Sequence, residues 1–526
     1  MEHMMQKEGE PDVNQTTGRR SKMRGDIILL PQPTDDSADP LMSSQNWSQR
    51  KKYLMLGILS LAAFTSHCAA IGNQQGISAQ ADLYHKSLND MADTVATAIA
   101  GLLAGPLILM PLIHIFGCCS ILLWSMVAAT CGSIWSALMT KPDQYIAFTL
   151  SRLFVGLFSA TPTILGPQML VEIFFLHERG TVFNTFLVWS TFGTVIGPTL
   201  GGFIVSHAPW PWQFWWTVAL QGVVVLLAFL FLEETGFTRE DGKVYPRRPS
   251  GFIQNRVATY FPGTSVAHVG GFKAALHSAW AQILIGVTPV TILVGVFLLG
   301  VSGWFVSFNT LLSVFLQDPV EVGGYGFSAQ QNAAYILTPP VTFTMWIGAA
   351  VSLIWGHFFN DRIPLYFVAK YSGTWKPEYR LHSLWVPAFL IQPIGLGIVG
   401  ATLQYHLHYM VLAVGTFLVT ASSVAISPVA INYLVECFMK YPTELNCILG
   451  IYRLGIGLGI PFFIDAWRAQ VGVGWIFGMM AVLSLVLFVL IVILMRHGHA
   501  IRQMGFAGLR GDEEGAQIMK KEETEE

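Results

Sequence analysis

Apolar runs of about 20 residues, the length a helix needs to cross about 30 Å of hydrocarbon, recur twelve times between residues 53 and 495. They limit what this chain can fold into more than any other feature. Only 12% of the residues are charged against 53% hydrophobic, roughly half the charge density of a soluble domain. Two or three soluble cores would lack polar cover. The expected class is an all-α membrane protein.

The runs lie near 53–75, 92–114, 118–138, 146–171, 181–205, 213–232, 285–311, 336–358, 383–402, 408–432, 446–465 and 473–495. A polar segment carrying Arg239, Lys243, Arg247, Arg248, Arg256 and Lys273 separates six from six. The expected organisation is a mostly disordered tail over 1–52, a bundle over 53–232, a central loop over 233–284, a second bundle over 285–495 and a charged tail over 496–526. In this arrangement only Lys86, Lys141 and Arg468 fall on one side, and Arg152 and Arg453 lie within spans. The remaining basic residues lie on the opposite side, which the positive-inside bias assigns to the cytosol. Both tails and the central loop are therefore expected to be cytoplasmic. The first 50 residues hold no early apolar core, so the first span is expected to act as the insertion signal. Asn14-Gln-Thr and Asn46-Trp-Ser should then remain unmodified. The six cysteines (Cys68, Cys118, Cys119, Cys131, Cys437, Cys447) sit in spans or at their inner ends, so no disulfide framework is expected. A net charge of −2 implies no global electrostatic partner. The basic clusters flank membrane, which fits orientation and the lipid bilayer rather than nucleic acid.

Ionisable groups within hydrocarbon cost at least ~2.5 kcal/mol unless paired or hydrated, so they mark candidate sites. Arg152 lies in the outer part of the fourth span, about two turns inside, where snorkelling to the interface is the structural alternative. Arg453 is a similar distance from the inner end of the eleventh. In the fifth span Gly193, Gly197, Gly201 and Gly202 leave a stripe without side chains, against which another helix can pack closely. Pro198 removes a backbone donor there and kinks the helix. Candidates for a central cavity are His67, Asn73 and Gln74 on the first span, Trp189 on the fifth, Trp304 and Asn309 on the seventh, Tyr433 and Glu436 on the tenth, and Arg453 on the eleventh. Single aromatics serve equally in lipid belts or helix packing. His67 can titrate near neutral pH, or serve as a hydrogen-bonded structural residue. The chain has no Gly-x-x-x-x-Gly-Lys-[Ser/Thr] loop and no His-Glu-x-x-His pair, so neither an enzyme nor any metal or other cofactor is expected.

Gly197-Pro198-x-x-Gly201-Gly202, in the fifth of twelve spans, resembles the antiporter motif of the major facilitator superfamily, in its drug:proton antiporter branch. Arg152-Leu-Phe-Val-Gly156 is similar to that family's Arg-x-x-x-Gly motif, whose arginine the resemblance assigns to the central cavity and to proton coupling. His177-Glu178-Arg179-Gly180, Trp212-Gln-Phe-Trp-Trp216 and Glu233-Glu234-Thr235 resemble further family segments. Ser372-Gly-Thr-Trp-Lys-Pro-Glu378-Tyr-Arg380-Leu is similar to a loop of fungal members. Gly455, Gly457, Gly459 and Pro461 resemble a second-half counterpart of the fifth-span motif, as a repeated architecture would place it. The loop after the second span departs from the family's Gly-x-x-x-Asp-Arg-x-Gly-Arg-Arg. His114 stands for the acid and Ile115, Cys118 and Cys119 for the bases, and only Gly117 remains. In the second half Asp361-Arg362, with Gly356 before it, leaves one charge latch by resemblance.

The resemblance implies a major facilitator fold, with twelve transmembrane helices in two six-helix bundles around one alternating site. It further implies a monomeric, proton-coupled exporter of a small organic molecule, a xenobiotic or secondary metabolite, in the plasma membrane. Two alternatives stay open. One is proton-coupled uptake of an organic cation or polyamine, for which Glu436 would be the main acid. The other is a transport-dead sensor, motivated by the lost loop charges. Those same losses lead to the expectation of an inward-open resting state.

Overall fold

The apolar runs become helices that pair in the same order twice. A computed structural model of the protein describes residues 23–24, 27–28, 47–174, 176–235, 251–261, 271–317, 341–360, 362–370, 376–438 and 441–504. Among these, ten helices are long and apolar enough to cross a membrane: Gln49–Gln75, Leu88–Phe116, Cys118–Leu138, Pro142–Ile173, Thr185–His207, Trp212–Phe231, Pro289–Val306, Glu378–Tyr405, Tyr409–Cys437 and Val473–Gln503. Val341–Phe359 and Pro442–Val471 stand where the eighth and eleventh spans are expected. The latter carries Glu444, Arg453, Asp465 and Arg468, which dilute its apolar character.

Local signals explain several boundaries. Ser87 accepts from the Asp90 N–H at 3.1 Å and Asp90 accepts from the Ser87 N–H at 3.0 Å, a capping box opening the second span. Gly117 turns the chain into the third span with φ 85°, a region other residues avoid. The fourth span changes helix at Ala160, from Tyr145–Ser159 to Thr161–Ile173, with Pro162 in the first turn of the new one.

The first span packs on the fifth and sixth, the second on the fourth, and the third on the fourth and sixth. The seventh likewise packs on the eleventh and twelfth, the eighth on the tenth, and the ninth on the tenth and twelfth. Across the halves, the second meets the eleventh and the fifth meets the eighth. Those two contacts are the same contact seen from either half, as an internal repeat requires. Each half has its own apolar core: Met55, Leu122, Leu165 and Phe186 in the first, and Phe297, Leu384, Tyr433 and Phe488 in the second.

The polar central segment also holds structure that its composition hides. Gly271–Gly286 is a helix touching both the second and the eleventh span. Phe272, Leu276, Trp280 and Ile283 are exposed along it, at the spacing of one helical face. This apolar stripe went unread because polar residues alternate with it.

Candidate functional site: a cavity between two bundles

A central cavity of about 2090 Å³, counting its open mouth, lies between the two halves. It reaches from Gln74 and Asn309 to Asn360 and Asn446, towards the span ends from which the central loop emerges. Its walls are mixed. Phe183, Phe186, Phe305 and Leu187 supply apolar surface, and Ser302, Ser423, Ser427 and Asn432 supply polar groups. Ser302 and Ser427 hydrogen bond across two spans at 3.1 Å.

Four of the expected cavity residues line it: His67, Gln74, Asn309 and Arg453. His67 Nδ1 lies 2.9 Å from the Ala63 carbonyl and 3.5 Å from Ser190 Oγ. The other expectations are corrected. Trp189 points outward, 45% exposed, edge-on to Phe64 with ring centroids 6.0 Å apart. Trp304 and Tyr433 are buried in apolar clusters away from the cavity. Glu436 is paired instead with Arg380, whose Nε lies 2.5 Å from its Oε1. Asn73 is buried beside Arg152. In each case the helix face differs from the expected one, because the face depends on which neighbour the helix meets.

Arg152 is fully buried and is not among the lining residues. Its Nη2 donates to the Ala69 carbonyl at 3.0 Å, the Ala70 carbonyl at 2.5 Å and Asn73 Oδ1 at 3.1 Å. Those carbonyls belong to the last turn of Gln49–Ile71, where intrahelical donors run out. The guanidinium also lies 5.2 Å from the Phe214 ring. Arg152 thus holds the point at which the first span passes from α-helix to the tighter turn Gly72–Gln75.

The fifth-span stripe faces the same span. A Cβ at Gly193 would collide with the Phe64 carbonyl, at Gly197 it would lie 2.8 Å from Cys68 Cα, and at Gly201 it would collide with the Gly72 carbonyl. Residues four apart on one helix meet residues four apart on the other, backbone to backbone. Pro198 sits inside the unbroken helix Leu176–His207, and Gly202 is buried there. The second-half run is looser. A Cβ at Gly457 would meet Val306 of the seventh span at 2.5 Å, whereas Gly459 faces open space.

The charge-poor loop after the second span is held by other means. Glu234 accepts from the backbone N–H groups of Cys118 and Cys119 at 3.2 and 3.1 Å. A carboxylate at a helix start meets both free donors and the positive end of the helix dipole. Glu233 pairs with Lys51 at 2.7 Å and Arg256 at 3.7 Å. In the second half, Asp361 lies outside the described residues. Arg362 is exposed, its guanidinium 5.5 Å from the Phe358 ring. Glu378–Arg502 at 3.0 Å and Glu436–Arg380 tie the end of that loop to the twelfth and tenth spans. Glu234→Ala should lower stability by about 0.5–2 kcal/mol, the usual range for losing a helix cap. Glu234→Gln should cost less. Thermal unfolding of the purified protein checks the order, and equal midpoints for all three would dismiss the cap.

The sequence profile of the Major Facilitator Superfamily matches residues 54–377, more than half of the chain, and the chain belongs to that superfamily. The efflux pump radE of Floropilus chiversii is 26% identical over 473 residues, covering 89% of this chain and 83% of its own. The MFS transporter cpaT of Aspergillus oryzae is 26% identical over 465 residues, covering 87% and 89%. Among solved structures, the proton:xylose symporter XylE bound to 6-bromo-6-deoxy-D-glucose matches with a TM-score of 0.57 at 15% identity, over 86% of this chain and 96% of that one. That last likeness is one of fold. Fold and family together make this a membrane transporter, not an enzyme.

Proposed function

We propose that the protein exports a small organic molecule, a xenobiotic or secondary metabolite, across the plasma membrane in exchange for protons, acting as a monomer with both tails in the cytosol. The observation that carries this is the mixed apolar and polar cavity shared by two repeated bundles. The relative radE is an efflux pump, which agrees with that direction. With the central loop in the cytosol, the cavity faces inward, where an exporter collects its cargo. The tight seam between the first and fifth spans limits leak as the bundles rock. His67 is a titratable side chain among the described lining residues, and Arg152 fixes the span that carries it.

Uptake of an organic cation draws no support from the cavity. No Asp or Glu is among its described lining residues, and Glu436 is already paired. The test is accumulation of a panel of lipophilic fluorophores, anionic, neutral and cationic, in cells expressing the chain. At least one should accumulate less than in control cells, and a protonophore should erase the difference. Equal accumulation of the whole panel would overturn export. A difference that survives the protonophore would overturn proton coupling.

A further inference from the structure

We propose that the cavity selects amphipathic organic anions, a carboxylate or phenolate head on an apolar body, with Arg453 as the group that reads the charge. This rests on the transport reading above and narrows its substrate class.

Arg453 lines the cavity from the eleventh span. Its Nε is buried without a hydrogen-bond acceptor. No carboxylate stands among the described lining residues to pair with it. Arg152 is placed differently: it lies outside the cavity lining, and its Nη2 donates to two carbonyls and an amide oxygen, although its Nε and Nη1 are likewise without acceptors. Arg152 ties helices together outside the cavity, whereas Arg453 stands in the cavity wall. The surrounding polar groups, Ser302, Ser423, Ser427, Asn309 and Gln74, are neutral. His67, on the facing half, lies within electrostatic range of Arg453 and adds no negative charge in either protonation state.

A cation in the cavity wall with no carboxylate among the described lining residues repels a cationic ligand and attracts an anionic one. The planar guanidinium also presents donors in a fork that matches a carboxylate. The head group alone would not fill the site. Phe183, Phe186, Phe305, Leu187 and Ile164 give the remaining surface an apolar, partly aromatic character, which suits a ring-containing body.

The test uses the purified full chain in lipid nanodiscs and three probes of one shape: 2-naphthoate, 2-naphthylmethanol and 2-naphthylmethylammonium. Binding is read by competition and calorimetry. The parent should bind the carboxylate at least about tenfold more tightly than the ammonium, in line with a charge-assisted hydrogen bond. Arg453→Gln should lose that preference while keeping affinity for the neutral alcohol, which reports that the cavity persists. Arg453→Lys should retain part of the preference. If Arg453→Gln binds none of the probes, Arg453→Met decides by the same criterion. Equal or tighter binding of the ammonium by the parent, or an unchanged preference in the variants, would overturn the proposal. Because binding is measured without a gradient, that failure is distinct from failure of export, which the cell assay reads independently.

Discussion

Gly201→Leu is expected to reduce transport at least tenfold at unchanged membrane insertion. The substituted Cβ would run into the Gly72 carbonyl of the first span. Overpacking typically costs ~1–3 kcal/mol where side chains can move aside, and here the obstacle is backbone. A bias of ~1.4 kcal/mol between two conformations changes their ratio tenfold. Gly197→Leu should behave alike, since its neighbour is Cys68 Cα at 2.8 Å. Gly222→Leu on the sixth span is the matched control, with nothing within 4 Å of its Cβ position. Flux in proteoliposomes of equal protein content checks the set. Parental rates in both motif variants would reduce the stripe to incidental packing.

Arg152→Ala should abolish gradient-driven flux, with folded protein still recovered from the membrane. The alanine leaves the Ala69 and Ala70 carbonyls and Asn73 Oδ1 without their shared donor. A buried polar group left unpaired costs about 1–3 kcal/mol, enough to release the outer turn of the first span from its set geometry. His67 and Gln74 on that span line the cavity, so the disturbance reaches the transport path. Arg152→Lys should keep part of the activity, since an ammonium retains charge and donors without the planar fork. The measurement is substrate flux under an imposed pH gradient. Normal pH-dependent flux by the alanine variant would remove Arg152 from the coupling mechanism.

The elements most legible in the sequence were those fixed by one-dimensional physics. Span lengths follow from bilayer thickness, and the glycine stripe of the fifth span declared a close contact before its partner was visible. That partner, the first span at Phe64, Cys68 and Gly72, could not be read, because nothing in either run names the other. Arg152 was legible as an expensive residue, but its acceptors are main-chain carbonyls, and every residue has one. Trp304 and Tyr433 illustrate the same limit. Both sit at plausible depths, and the neighbouring helices alone decide that they face apolar clusters. Glu436 looked like a free acid because its partner, Arg380, lies 56 residues away on the short helix Glu378–Leu381. Asn360, Asn432 and Asn446 were overlooked as cavity residues, since an uncharged amide near a span end resembles any other interfacial polar group.

The cap on the third span has a consequence for how the chain can change over generations. Glu234 holds Cys118 and Cys119 by their main-chain N–H groups, and those groups come with every amino acid except proline. The interaction therefore places its whole sequence constraint on one end. Positions 118 and 119 can take many side chains of suitable bulk, while position 234 must keep a hydrogen-bond acceptor, best a carboxylate. The contact at this loop thus depends on the identity of one residue rather than on a matched pair. Such an arrangement is easier to preserve under mutation, because no compensating second change is ever required.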